Sequence, residues 1–543
     1  MKKIYLVLAF LFFAVFSIQA ITLGDQTLIP ADHWVYQELD ILCLETGTVS
    51  FATSAPRTCG ELKKYLSQIE IQKLSPQGIE IYNHLQDFFL QEHLGFQTGL
   101  VSAGFALDLA LEGYFKSNEN IDYIYPYQKK LPLVNIPFGF NLGNYATLAS
   151  EVTVAQNIEA KKDSKNYVNL PLPLSKFDVN FPHNTYGSFG IMFSENTGIN
   201  FRIARGFQSI GNTATGSIVL SDYSTNESYC EFSIFSPDFR YALNVTELNP
   251  PKKNNPDPAY MYLHRLELKF FDKLTFTILE GLLTNSPFEL RFLNPLMIWH
   301  GYASWNDYYG NGNNSEEEIV NKEASLLGIN IEFVPWNGLK FYFLYAMNQF
   351  QTSYERENWP DSAIPNAMAF QGGIELAFPL SIGYLTGFLE GVYATPYMYL
   401  MEGADWSYVR NYDESIGQDD VRQWVGTPFG PDSISIACGI EYKVPQKWQT
   451  SCSYVFSLQG ELSDLDVLDK DYWPTNVTEA SVKTPTGIPQ FTHRIIISSG
   501  WQITKKLNLK TFMGYTISDN NEHIENHLEQ GFELTASLKL NLL

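Results

Sequence analysis

Near the end of the chain, apolar and polar residues alternate without interruption: Phe532, Leu534, Ala536, Leu538, Leu540 and Leu542 stand against Glu533, Thr535, Ser537, Lys539 and Asn541. A period of two places the two sets on opposite faces of a β-strand, one suited to lipid and the other to water. Ile434, Ile436, Cys438, Ile440, Tyr442 and Val444 repeat the pattern against Ser433, Ser435, Ala437, Gly439, Glu441 and Lys443. Before Gln97 the period is helical instead. Val35, Leu39, Leu42 and Cys43 share one face of a predicted helix from His33 to Glu45 that ends near Gly47. Thr58 with Glu61 forms a capping box opening a helix to about Glu70. Ser75 and Pro76 open a third, striped by Ile79, Tyr82, Leu85 and Phe89 and stopping at Gly95.

The connections sharpen the β pattern, because tight turns alternate with long polar loops. Turn chemistry predicts eight tight turns, at Gly143-Asn144, 195–198, 236–239, 271–273, 335–338, 379–381, 445–447 and 504–506. Long loops fall near 116–132, 159–185, 207–227, 248–258, 284–321, 351–365, 397–431, 460–488 and 520–526. Eight hairpins with the unpaired segments 98–114 and 527–542 give 18 strands, both ends lying on the tight-turn side; the strand-like pieces 217–221 and 292–299 are counted as loop. The expected fold is therefore an all-β transmembrane barrel, antiparallel, about 18 strands, with a small N-terminal α-helical periplasmic domain. Residues 1–20 read as a signal peptide, 21–96 as the helical domain and 97–543 as the barrel. The competing architecture is a soluble β-sandwich.

The N-terminus and the composition fit this reading. Lys2 and Lys3 precede an apolar run from Ile4 to Ile18, and Ala20 is the small residue of a cleavage site. No later stretch has the roughly 18 consecutive apolar residues of a helical span, so a second membrane crossing falls to strands. Aromatic residues are 15% and charged residues 17%, against a usual charged share of about 25%, the mixture of a lipid-facing wall with a wet interior. The net charge of −23, made more negative by loss of Lys2 and Lys3, argues against nucleic-acid partners. Five cysteines in 543 residues are too few for a disulfide scaffold.

Candidate chemistry is sparse. If the turn at 271–273 is centred on Asp272, His264 falls opposite Glu280; the pair suits a proton relay or half of a hydrolase site, and also a plain structural pair near the outer aromatic girdle. Neither a nucleophile elbow nor a metal-spaced histidine cluster accompanies it. On the other face of that strand Arg265, Glu267 and Lys269 point inward, with Arg202, Glu375, Arg494 and Lys510 as companions on other strands. Such charges either grip an anionic sugar and set selectivity or pair with one another to fill the interior. Trp305, Tyr308 and Tyr309 precede Glu316, Glu317 and Glu318, and Asp464, Asp466, Asp469 and Asp471 precede Tyr472 and Trp473. Rings beside carboxylates suit sugar stacking, clustered carboxylates suit Ca²⁺, and both suit an ordinary solvated loop. Cys438 and Cys452, symmetric about Pro445, and Cys43 with Cys59 are the two conceivable disulfides; two small lipid-facing residues is the plainer reading of the first pair.

Several segments resemble the Wzi-type capsule assembly family of outer-membrane barrels. Ile29-Pro30 through His33-Trp34, Leu39, Leu42, Gly47 and Pro56 are similar to the family's opening helical segment. Arg205-Gly206-Phe207-Gln208-Ser209-Ile210-Gly211, followed by 216–222, resembles its stretch of an arginine, an aromatic-glycine step and an apolar run, with Ile210 where tryptophan is common. His264-Arg265-Leu266-Glu267, Glu280-Gly281 and Arg291-Phe292-Leu293-Asn294-Pro295-Leu296-Met297 are similar to another recurrent run. The resemblance implies a barrel of about this strand number that binds or presents surface polysaccharide, its helical domain in or beneath the periplasmic mouth; the alternation of turns and loops puts the long loops at the cell surface, and the lack of a catalytic constellation points to a non-enzymatic role. Candidate contacts are then Arg202, Arg205, Arg265, Glu267, Lys269, Trp305, Tyr308 and Trp473. A porin for small solutes is the second reading and a barrel-embedded hydrolase the third. No cofactor is expected. The expected partners are outer-membrane lipid, surface polysaccharide and the barrel assembly machinery, although Leu543 replaces the terminal aromatic that this machinery commonly reads.

Overall fold

The computed structural model describes residues 19–542 except 91, 122–130, 157–165, 171–176, 181–183, 195, 224–226, 250–257, 286–287, 300–322, 359–363, 404–405 and 414–419. The signal-peptide reading therefore lies almost wholly outside the described residues. No described helix is long and apolar enough to cross a membrane. Crossing falls to strands, where alternation leaves one apolar and one polar face.

Eighteen antiparallel strands close into a barrel. They are β1 (Val101–Phe105, resuming at Asp108–Lys116), β2 (Val134–Leu142), β3 (Ala146–Gln156), β4 (Thr185–Met192), β5 (Gly198–Gly206), β6 (Glu227–Phe235), β7 (Phe239–Asn249), β8 (Ala259–Phe270), β9 (Leu274–Thr284), β10 (Glu323–Trp336), β11 (Leu339–Gln349), β12 (Ala367–Leu380), β13 (Gly383–Ala394), β14 (Ser433–Val444), β15 (Trp448–Gln459), β16 (Gln490–Gln502), β17 (Leu507–Asp519) and β18 (Glu529–Asn541). Each strand pairs with the next, and the ring closes where Asn541 to Glu533 of β18 meet Asp108 to Lys116 of β1. At this seam β1 is broken at Ala106-Leu107. Its first half pairs with β2 and with the extra strand Glu92–Thr98, which in turn pairs with Gln19–Thr22. All eight tight turns occur where the sequence places them, and Phe271 and Asp272 both take positive φ in the three-residue loop between the paired Phe270 and Leu274.

The three helices form as expected with differences at their ends. Helix α1 (Trp34–Thr46) is capped by His33, whose Nδ1 accepts from Val35 N, and ends at Gly47 with φ 72°. Helix α2 (Cys59–Ser67) stops before Glu70; Thr58 accepts from Glu61 N, but Glu61 does not complete the capping box, because its carboxylate accepts from Arg57 and Tyr65. Helix α3 (Pro76–Leu90) buries Ile81, Tyr82, Leu85 and Phe89, while Ile79, expected on the stripe, is 39% exposed.

Helix α1 is buried nearly all round, including Glu38, Asp40 and Glu45, which an amphipathic surface helix would leave in water. The reason is its position inside the tight-turn mouth of the barrel. Val334, Ala377 and Tyr384 of the wall join the apolar core of the helices. Gly338 N donates to Leu44 O at 2.6 Å and Asn337 Nδ2 to Glu45 O at 2.9 Å. At φ 79°, Gly338 lies so close to β12 that a Cβ would stand 2.7 Å from the Phe378 ring. Only glycine meets both demands without strain.

Candidate functional site: a filled lumen and its lid

Strand alternation turns Arg202, Glu231, Arg240, Arg265 and Glu267 inward, where all five are buried. Register brings them together, since Arg202 lies opposite Glu231 and Arg240 opposite Glu267. The helical segment adds Arg57 and Glu61. Glu231 takes Arg240 at 2.6 Å, Arg202 at 2.9 Å and Arg265 at 3.3 Å. Arg57 bridges Glu61 and Glu267, both at 2.7 Å. Four guanidiniums thus face three carboxylates, and backbone carbonyls take spare donors: Arg202 donates to Pro56 O at 2.9 Å and Arg57 to Ser54 O at 2.7 Å. Burial alone would lower the pKa of Arg57, but Glu267 and Glu61 outweigh it and hold the group well above the usual arginine range. Two further latches join helix to wall: Lys340 bridges Asp40 at 3.0 Å and Glu375 at 2.6 Å, and Lys443 reaches Glu38 at 2.9 Å. An uncompensated buried charge costs several kcal/mol, so these pairs fix the seating of the helical segment.

Above this charged layer, toward the long loops, the lumen is apolar. Segment 207–221, expected as an outer loop, turns inward instead. Ser209-Ile210 pairs with Ser54-Ala55 of the helical segment, and Ile218, Val219 and Leu220 pack with Leu263, Leu279 and Leu344 of the wall. Tyr399, Tyr408 and Trp424 cover them from the loop side, Tyr399 donating to Ile218 O at 2.7 Å. A small hairpin, Val409–Asp413 with Asp420–Trp424, and the turns after Gly460 complete a lid. Buried Asp432 clasps it, accepting from Thr486 Oγ1 at 2.5 Å and Leu462 N at 3.4 Å. Beside the helices remains a crevice of about 1440 Å³, bounded by Trp34, His84 and Phe88 on one side and Ser451, Lys510 and Ser537 on the other.

The predicted site residues separate accordingly. Arg202, Arg265 and Glu267 meet in the charged layer, deep below the loops. Lys269 stays at the turn end with Asp238 and Asp272, each at 3.2 Å. Arg205 does not join them, because it shares the outward parity of Phe201 and Ile203. Glu375 is held by Lys340, and Lys510 faces the crevice. His264 and Glu280 are register neighbours as expected, yet the imidazole Nδ1 shares its hydrogen bond with Tyr241 Oη at 3.0 Å, and Trp299 meets the ring edge-on at 3.7 Å. Trp473 is half-buried in the lid, edge-on to Tyr397 at 6.0 Å. Asp469 is bound by Arg422 at 2.6 and 3.0 Å, and Asp464 caps the turn that follows it, so these two carboxylates are occupied. Trp305, Tyr308, Tyr309 and 316–318 lie outside the described residues.

Cys438 lies opposite Tyr454 and Cys452 opposite Ile440, because the hairpin is centred one residue beyond Pro445; both thiols are exposed on the outer wall and free. Cys43 and Cys59 are free and buried among the helices, where desolvation pushes the thiols up to about 12 and about 11. Sequence reading missed Arg57, Glu61, Glu231 and Arg240. Counting register outward from the turn at 236–239 puts Arg240 opposite Phe235 and Glu231 opposite Asn244, whereas Arg240 meets Glu267 across β7 and β8, whose long connection gives no centre to count from; nothing local marks Arg57 and Glu61, which come from another part of the chain.

A closed 18-strand antiparallel barrel with an apolar outer wall is an outer-membrane β-barrel, here with a largely filled lumen. No family model and no curated protein matches the chain. Among solved structures it is similar to Wzi of Escherichia coli, described as a carbohydrate-binding outer-membrane β-barrel involved in group 1 capsule assembly, with 13% identity, TM-score 0.58 and 95% of this chain and 99% of that chain covered. Weaker likenesses include OprD of Pseudomonas aeruginosa (11% identity, TM-score 0.38, 81% and 96% covered) and the channel DcaP of Acinetobacter baumannii (7%, 0.36, 82% and 99%).

Proposed function

We propose that this barrel binds surface polysaccharide through the lid at its long-loop end, that this end faces the cell exterior with the helices on the periplasmic side, and that it does so without catalysis. The observation carrying the reading is the filled lumen. Ile218, Tyr399 and Trp424 over the Arg57–Glu231–Glu267 network make a fixed platform where a solute channel needs a wet bore. The carbohydrate binding described for the similarly folded Wzi supports the same reading. Within the lid, Trp473 and Tyr472 follow Asp466 and Asp471 closely in the chain, rings and carboxylate acceptors of the kind that hold sugar faces and hydroxyls. The buried arginines are scaffold for this surface and have no route to a glycan on it.

The test is a glycan array of capsular and O-antigen polysaccharides probed with purified protein in detergent. Retention of at least one polysaccharide, weakened about tenfold or more by Trp473→Ala, is the expected outcome. An array blank at high protein density would overturn the reading.

A further inference from the structure

The described part of the connection between β9 and β10 lies on the outside of the barrel. Residues 288–299 run down the outer wall of β7, β8 and β9, where Phe292 and Trp299 are buried with Leu243, Val245, Tyr262 and Leu282. Glu289 N donates to Tyr262 Oη at 3.1 Å, and Tyr241 Oη to Pro295 O at 3.2 Å. In this sector the wall itself turns polar, since His264 and Glu280 face outward where β10 and β11 offer Leu327, Ile329, Phe343 and Tyr345. The strap covers His264 and carries its own apolar residues on its far side. Leu296 is 90% exposed, Leu290 76% and Ile298 74%.

Height locates it. Exposed aromatics Phe239, Phe270, Phe271, Phe333 and Trp336 at the tight-turn ends make a girdle of the kind that marks a membrane interface. His264, in contact with Trp299, stands along β8 from Phe270 by six residues. At about 3.3 Å per residue and a tilt of about 40°, that is roughly 15 Å, well inside an apolar band about 25 Å tall. The strap is irregular backbone, which lipid tolerates only where its polar groups have partners. Its turns supply several of them: Phe292 N donates to Glu289 O at 3.3 Å, Asn294 N to Arg291 O at 3.3 Å and Met297 N to Asn294 O at 3.2 Å. Its two charged residues, Glu289 and Arg291, pair with each other, and Arg291 also with Glu323 at the long-loop end of β10, so charge stays high and apolar residues go deep.

We propose that residues 288–299 form a lipid-embedded strap whose outer side, Leu290, Leu296 and Ile298, takes the acyl chains of the leaflet on the long-loop side. Continuity with the apolar outer wall names the occupant. The consequence is that this segment is no part of the glycan-binding lid.

Leu290→Cys, Leu296→Cys and Ile298→Cys, each made alone in the full chain with Cys230, Cys438 and Cys452 changed to serine and the buried Cys43 and Cys59 kept, would carry nitroxide labels in proteoliposomes. Heat-modifiable migration shows which variants fold, and any one of the three suffices. Labels on the strap should collide with oxygen in preference to a water-soluble nickel complex in the ratio found at Ile497 of the outer wall. A ratio matching a label at Asp464 of the lid would overturn the proposal by placing the strap in water. Spin–spin broadening that disappears on dilution with unlabelled protein would overturn it by placing a second copy on this face.

Discussion

Glu231 holds three guanidiniums in a buried site, and a single atom pair changes its accounting. Glu231→Gln keeps the shape and leaves Arg202, Arg240, Arg265 and Arg57 sharing two carboxylates. Breaking a buried ion pair on one side costs about 3–5 kcal/mol, whereas an exposed pair such as Lys73 with Glu70 contributes under about 1 kcal/mol. Urea titration of the folded, heat-modifiable band should therefore show a large drop for Glu231→Gln and almost none for Lys73→Gln; equal midpoints would mean that the network adds nothing. His33 supplies a pH response. Burial, reinforced by Lys539, His84 and Lys510 against Glu38, depresses its pKa from 6.5 to about 4, so between these values the unfolded segment binds the proton more readily than the folded one. The contribution of neutral His33 is complete above about pH 6.5 and is lost as pH falls toward 4. Protonation also removes the acceptor that caps α1. The protection of the Val35 amide, its exchange rate taken against the intrinsic rate at each pH, should fall as pH drops through this interval, and His33→Asn, which caps without titrating, should abolish that fall.

At the level of elements, the strands were legible because three signals agree: alternation, turn chemistry and register counted from each turn. The turn at 271–273 places His264 opposite Glu280 from the sequence alone, and the structure keeps that pairing. The same arithmetic fails by one residue at Pro445, where the loop is centred on Gln446 with φ 56°, and this small slip separates Cys438 from Cys452. Where the connections go was not legible. Ile218, Val219 and Leu220 form an apolar run that reads alike whether it covers a wall or fills a lumen, and 288–299 reads alike in a surface loop or on the lipid side. Both destinations depend on long-range partners, Ser54-Ala55 for one and Tyr241 with His264 for the other. The helical stripe misleads for a related reason. Ile79 and Ile81 are equally apolar, and only the insertion of α3 against α1 decides that Ile81 is the buried one.

For the molecule as a whole, these destinations place two barriers in series. The first is the helical segment seated by Arg57, Lys340 and Lys443 in the tight-turn mouth. The second is the apolar layer of Ile218, Val219 and Leu220 under Tyr399, Tyr408 and Trp424. The two touch through Ser54-Ala55 and Ser209-Ile210 and share strands β8 and β11, but at different heights, Glu267 and Lys340 toward the tight turns and Leu263 and Leu344 four residues nearer the long loops, so removing one leaves the other anchored to the wall. A simple plugged pore would open when its helices are deleted. This barrel should not: in planar bilayers the full chain is expected to show no steady conductance, and deletion of residues 24–90 alone little more, because dewetted apolar constrictions block ions without a steric seal. Stepwise conductance should appear when that deletion is combined with polar substitutions such as Ile218→Asn and Leu220→Asn. Full-sized channels in the intact protein, or after loss of the helices alone, would show that the apolar layer is no barrier and would return the porin reading to first place.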